Sequence, residues 1–156
     1  MDAPELKALI GSTLEGGGFR FNRGAWYRTL SDVTQVAQVE KSQYSRRYFL
    51  RLAIALRSRQ TVPFPKEHQC DIRISPGELD LDRWYVWERL LDLDAEDLPD
   101  SERTVTLAGL LGEVVISRFG RLSSVEEIRA AIRERALSPN FVLGDAYSLL
   151  VDDGDA

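Results

Sequence analysis

Lys41, Ser42, Tyr44, Arg46 and Arg47 crowd one short stretch of the chain, and they are its densest set of groups able to meet an anion. Guanidinium forks match carboxylate and phosphate oxygens in pairs, and an ammonium or hydroxyl nearby adds further donors. A phosphate, a nucleotide or the acidic surface of a protein would suit such a cluster. A second candidate lies just upstream. Asp32, followed by Gln38-Val39-Glu40-Lys41, outlines the two carboxylates and lysine with which phosphodiester hydrolases hold a divalent ion and meet developing charge. Glu40 and Lys41 are adjacent, however, so on a regular strand they face opposite ways, and the set needs a bulge there to converge.

Other chemistries find fewer parts. His68 and Cys70 form a single His-x-Cys with no second pair at zinc-ligand spacing. His68 is the only histidine, and Cys70 has no activating helix N-terminus beside it, so a cysteine nucleophile lacks its machinery. A Ser-His-Asp enzyme meets the same shortage and has no Gly-x-Ser-x-Gly elbow. Gly16-Gly17-Gly18 lacks the preceding strand, the following helix and the Gly-Lys-Ser/Thr of a phosphate loop. No cofactor is expected. Trp26, Trp84 and Trp87, with Tyr27, Tyr44, Tyr48 and Tyr85, could line a cleft or a binding surface. Trp84 and Trp87 stand at i and i+3 and are expected to pack a helix onto a sheet, which leaves Tyr48 and Tyr85 as surface candidates.

The elements that must position these groups are written in the hydrophobic periods. Leu6, Leu9, Ile10 and Leu14 predict an N-terminal amphipathic helix, opened near Pro4 and closed by the glycine run. Phe19 and Phe21, a turn at Asn22-Arg23-Gly24, Trp26 to Leu30, a turn at Ser31-Asp32 and Val33 to Lys41 read as successive strands. Tyr48, Leu50, Leu52, Ile54 and Leu56 alternate with Phe49, Arg51, Ala53, Ala55 and Arg57, the clearest period-2 pattern in the chain. Cys70, Ile72 and Ile74 add another strand after a Pro63-Phe64-Pro65 loop. Short links between strands favour an antiparallel meander.

Beyond Pro76-Gly77 the period becomes helical. Leu81 to Leu91 suits a short helix. Leu107 to Phe119 suits a longer one, with Asp100 or Ser101 as its cap, and Ser124-x-x-Glu127 is a capping box for the next. Residues 141–150 fit a helix or a strand equally. The expected fold is α+β: an N-terminal helix, a central antiparallel sheet of four to five strands and a helical C-terminal half. Residues 1–151 are expected to form one domain, with an acidic frayed tail over 152–156.

Composition narrows the function classes. A chain of 156 residues, 44% hydrophobic and 29% charged, is of ordinary globular make. A formal charge of −5 argues against a general nucleic-acid binder, which needs a basic footprint. Basic residues nevertheless dominate positions 20–59, and Asp and Glu dominate 78–102, so the two segments are expected either to face each other or to solvate the chain separately. The lone Cys70, the absence of a signal-like N-terminus and the absence of a long apolar run predict a cytoplasmic protein away from the membrane.

Gly18-Phe19, Trp26-Tyr27-Arg28, Val33 to Val39, Lys41-Ser42-x-Tyr44 and the strand Tyr48–Leu56, taken in that order, resemble a family of small bacterial proteins, the domain-of-unknown-function family 4304. His68-x-Cys70-x-Ile72-Arg73-Ile74, placed ahead of an acidic tryptophan-bearing helix, is similar as well. The resemblance runs over residues 5–92 and more loosely to about 135. It implies an α+β fold in a bacterial cytoplasm and transfers no catalytic residue. In the family pattern the position of Glu40 is commonly glutamine, which counts against Glu40 as an essential metal ligand. The expectation is a non-enzymatic binding module, immunity-like or regulatory, that meets an acidic protein through Lys41, Ser42, Tyr44, Arg46 and Arg47. The alternative is a metal-dependent phosphodiester hydrolase using Asp32, Glu40 and Lys41. Neither the partner nor the oligomeric state follows from the residues.

Overall fold

The computed structural model describes residues 1–151, so the tail expected over 152–156 lies outside the described residues. Helix α1 (Ala3–Gly16) begins where the Asp2 side chain accepts a hydrogen bond from the Glu5 N–H, with proline in the first turn. It buries Leu6, Ile10 and Leu14. Gly18, at φ +94°, then turns the chain into the sheet. The neighbouring Gly17 is needed for space: a β-carbon there would run into the Ile116 side chain.

Five strands follow as a meander, each antiparallel to the next: β1 (Arg20–Asn22), β2 (Ala25–Thr29), β3 (Val33–Lys41), β4 (Tyr48–Leu56) and β5 (Ile72–Ile74). Arg23 and Gly24 both have positive φ, so β1 and β2 are joined by a two-residue turn whose twist matches the strands. The β3–β4 pair is the longest, from Val33 opposite Leu56 to Lys41 opposite Tyr48. β5 pairs with Leu52, Ala53 and Ile54 of β4, and its Ile72 bridges Val142 on the other side.

The alternation of β4 separates two packed layers. Tyr48, Leu50, Leu52, Ile54 and Leu56 join the main core with α1 and the C-terminal helices. Ala53 and Ala55 point the other way and meet Ala25, Tyr27, Val36 and Cys70 in a smaller cluster. The stretch after β4 covers that cluster, with the Phe64 ring edge-on to Tyr27 at 5.2 Å.

The C-terminal half comprises α2 (Pro76–Leu79), α3 (Trp84–Leu90), α4 (Asp100–Leu110), α5 (Val125–Arg133) and α6 (Ala146–Leu150). Ser124 caps α5 by accepting from the Glu127 N–H at 3.0 Å, the serine half of the expected capping box. Two expectations are corrected. Asp100 is already helical, with Pro99 at the cap position and no side-chain cap bond, so neither Asp100 nor Ser101 caps α4. The run expected as one α-helix to Phe119 continues from α4 as wider π-helical turns over Leu111–Arg118. Residues 141–150, read equally as helix or strand, resolve into the end of a short 3₁₀ turn (Pro139–Phe141) and helix α6.

Two buried polar side chains tie elements on the core side together. Gln35 has no solvent exposure on the core face of β3, and its Nε2 donates to the carbonyls of Phe119, Gly120 and Leu122. Arg103 on α4 donates to the carbonyls of Arg89, Leu90, Asp92 and Ala95, gathering the end of α3 and the loop after it.

Candidate functional site

The link between β3 and β4 carries the basic cluster, and two groups of contacts fix its shape. The Ser42 N–H donates to the Arg47 carbonyl at 2.8 Å, and the Tyr44 N–H donates to Ser42 Oγ at 3.2 Å. From the other side, the Arg46 N–H donates to Asp94 Oδ2 and the Leu93 N–H to the Arg46 carbonyl, both at 3.0 Å. The Arg46 guanidinium lies across the surface and donates to the carbonyls of Leu93 and Met1. Arg47 pairs with Glu88 at 2.7 Å. The basic stretch and the acidic stretch therefore face each other here, one of the two arrangements their charges allow. Arg46 and Arg47 hold the turn against 88–94; Lys41, Tyr44 and Arg46 itself are exposed, and Arg47 is half-buried. Tyr44 is 93% exposed at the tip.

The aromatic expectations divide. Trp87 is buried as expected, and its Nε1 donates to the buried Asp80 carboxylate at 3.0 Å. Asp80 also receives Arg83, and Glu113 joins Arg83 to Arg118. These guanidiniums hold the Glu113 carboxyl below the usual carboxylate range, Arg83 foremost through its hydrogen bond. Trp84 does not pack down with Trp87: it is 52% exposed and sits edge-on to the exposed Tyr85. Tyr48, expected at the surface, is buried in the core. The 3₁₀ turn over Leu81–Arg83 runs into the short α3 and sets the rotation of its two tryptophans, which spacing alone does not specify.

Leu81, Trp84, Trp87 and Leu91, with Pro76, wall a groove of about 330 Å³ along the β4 edge at Tyr48–Arg51, rimmed by Glu78 and Glu88. Across the edge, the guanidiniums of Arg47 and Arg51 lie 5.3 and 5.1 Å from the centre of the Phe49 ring.

The hydrolase set is not assembled. Asp32 and Glu40 flank opposite ends of β3, roughly 26 Å apart at about 3.3 Å per residue. Asp32 Oδ2 accepts from the Val125 N–H at the start of α5, and Glu40 pairs with Arg51 at 3.1 Å. β3 stays in unbroken register with β4 through Glu40 and Lys41, so no bulge turns those two side chains to one face. Among the described residues no three His, Cys, Asp or Glu side chains gather as a metal site.

Cys70 and His68 part company too. His68 is exposed, whereas Cys70 is buried with its thiol donating to the Lys66 carbonyl. Burial, reinforced by Asp71 and Glu67, pushes the Cys70 thiol up to about 12 from its ordinary value of 9.0. The folded chain keeps its proton where the unfolded chain loses it, so this contribution to stability falls between pH 9 and about 12. At pH 8 a thiol reagent should label the native chain at least about a hundredfold more slowly than the urea-unfolded chain. Equal rates would place the thiol in solvent.

A family model described as Domain of unknown function (DUF4304) matches residues 10–101. The chain belongs to this family. The DUF4304 match takes in the whole sheet, the β3–β4 turn and every residue lining the groove. Its members are uncharacterised bacterial proteins. Comparison with curated proteins and with solved structures gives no match. Among the described residues no helix is long and apolar enough to cross a membrane. The sequence gives no forward signal for Gln35 or Arg103, because a polar residue's burial depends on which carbonyls the fold brings to it.

Proposed function

We propose that this DUF4304 chain is a non-enzymatic binding module, immunity-like or regulatory, that meets a protein partner through the β3–β4 turn. The observation that carries the reading is Tyr44, an aromatic ring almost wholly in solvent at the tip of a turn held from both sides. An aromatic anchor on a turn already fixed loses little freedom on binding, which favours a strong local contribution to affinity. Lys41, Ser42 and Tyr44 form the presented surface, and Arg46 and Arg47 hold it in place. Lys41 makes no ion pair among the described residues, which supports an acidic partner surface and salt-sensitive association. The buried free thiol fits a reducing compartment, and we place the protein in the cytoplasm.

The test is affinity capture from the native host's lysate with the wild-type chain and three variants. Wild type should recover one stoichiometric protein at low salt and lose it at high salt. Tyr44→Ala and Lys41→Ala should lose it at low salt, and Glu126→Ala, on α5, should retain it. Equal recovery by Tyr44→Ala would contradict the reading. So would a divalent ion that raises the melting temperature by several degrees, because a ligand specific to the folded state stabilises it.

A further inference from the structure

The two edges of the sheet are finished differently. β5 is met by Val142, which bridges Ile72, and by the Leu143 N–H, which donates to the Asp71 carbonyl. β1, at the other edge, has a strand on one side alone among the described residues. The two-residue turn at Arg23-Gly24 makes Asn22 and Ala25 the pair whose main-chain groups face each other. Main-chain direction alternates along a strand, so the N–H and C=O of Phe21 point away from β2. Phe21 is 57% exposed, and Arg20 and Arg23 near it are exposed as well. Its ring lies edge-on to Trp26 with centres 5.2 Å apart, at the margin of the core face. An open edge that carries an exposed aromatic is a template for another strand.

We propose that β1 pairs antiparallel with β1 of a second copy of this chain, about a two-fold axis at Phe21. The inference does not draw on the Tyr44 turn, which joins β3 to β4 away from this edge. What a two-fold register brings together argues for the second copy. In a self-complementary contact each residue meets the position that mirrors it. Phe21 then faces Phe21, and the two exchange N–H···O bonds in both directions. Their rings, on the face that bears Trp26 and the core, meet as a cross-strand aromatic pair. Arg20 falls opposite Asn22, so no like charges oppose each other there. Phe19 falls opposite the second copy's Arg23. Beside Phe19 lies a hollow of about 470 Å³ walled by Glu15, Gly18, Arg20 and Phe21. Glu15 and Arg23 are both exposed, and neither makes an ion pair among the described residues. The register brings the second copy's Arg23 to Glu15, and symmetry repeats that pairing on the other side. Arg23 also stands at φ +49°, where asparagine ahead of glycine is the favoured choice for such a turn. The turn therefore keeps a less favourable residue at the point the charge pairing uses. So short an edge gives a weak, salt-sensitive dimer.

The test is sedimentation equilibrium of the full chain from micromolar to millimolar concentration, with the ¹⁵N-labelled chain followed by NMR over the same range. A monomer–dimer equilibrium weakened by salt is expected, and the Phe21 amide should shift and exchange more slowly as dimer forms. Arg23→Asn should weaken the dimer roughly tenfold while melting no lower than wild type, because it improves the turn and removes the charge. Glu15→Lys should weaken the dimer similarly, and Glu15→Lys combined with Arg23→Asp should restore it. Tyr44→Ala should leave it unchanged. A chain that stays monomeric at millimolar concentration would overturn the inference, as would a dimer indifferent to Arg23→Asn and Glu15→Lys. A dimer lost in Tyr44→Ala would place the contact at the turn instead. A monomer whose Phe21 amide is protected only when host lysate is added would assign the edge to another protein and likewise overturn the self-pairing.

Discussion

Arg103→Ala should destabilise the fold by about 3–5 kcal/mol. Arg103 is 2% exposed, and its guanidinium serves four carbonyls from Arg89 to Ala95. Carbonyls at the end of a helix have no partner within it, and they carry the negative end of its dipole. A buried cation there satisfies both requirements at once. Removing it strands several acceptors, leaves a cavity and frees the loop that packs against the β3–β4 turn. For a domain of this size the loss corresponds to a fall in melting temperature of about 10–15 °C. Arg103→Lys should recover only a small part, since one ammonium cannot span carbonyls that the planar fork reaches together. Urea denaturation of the three proteins checks the prediction. An Arg103→Ala midpoint near wild type would mean that the carbonyls find other partners.

Gln35→Leu should cost about 2–4 kcal/mol, although it places an apolar residue of similar size in a core. The amide donates to three carbonyls in the turn that ends the π-helical stretch, and its Oε1 accepts from Arg28. Leucine supplies none of these bonds and leaves the carbonyls facing an apolar surface. Gln35→Glu should be at least as damaging at neutral pH, because a carboxylate would aim negative charge at three carbonyl oxygens. Lowering the pH toward 4 should return part of that loss, as a protonated carboxyl can donate. Thermal melts of both variants at pH 7 and pH 4 test this. A Gln35→Leu protein as stable as wild type would remove the polar tether from the account.

The residues made the sheet legible because their alternation is local. Tyr48 to Leu56 switches faces at every position, and the core and the smaller cluster divide along that switch. The Ser124 side-chain cap and the left-handed turn at Gly18 were equally local. The candidate site was legible in part. Lys41 and Tyr44 are exposed as their composition suggests and Ser42 is half-buried, but the pairing of Arg46 and Arg47 with residues 88–94 spans over forty positions of chain. No local pattern decides between that arrangement and a free basic surface. The exchange of roles between Trp84 and Tyr48 has a similar cause. α3 is only seven residues long, so the turn before it, rather than its own period, sets which tryptophan faces the core. The groove depends on β5 being too short to cover β4, and strand length is set by the partner as much as by the strand.

The central claim is that the end of the sheet bearing Tyr44 is where this protein meets its partner. Replacing Tyr44 with the photo-crosslinking residue benzoylphenylalanine, in the native host, tests it most directly. Irradiation should join the chain to one protein at that position, and the same residue in place of Glu126 should give no such product. Equal crosslinking from both positions, or a product from position 126 alone, would contradict the claim.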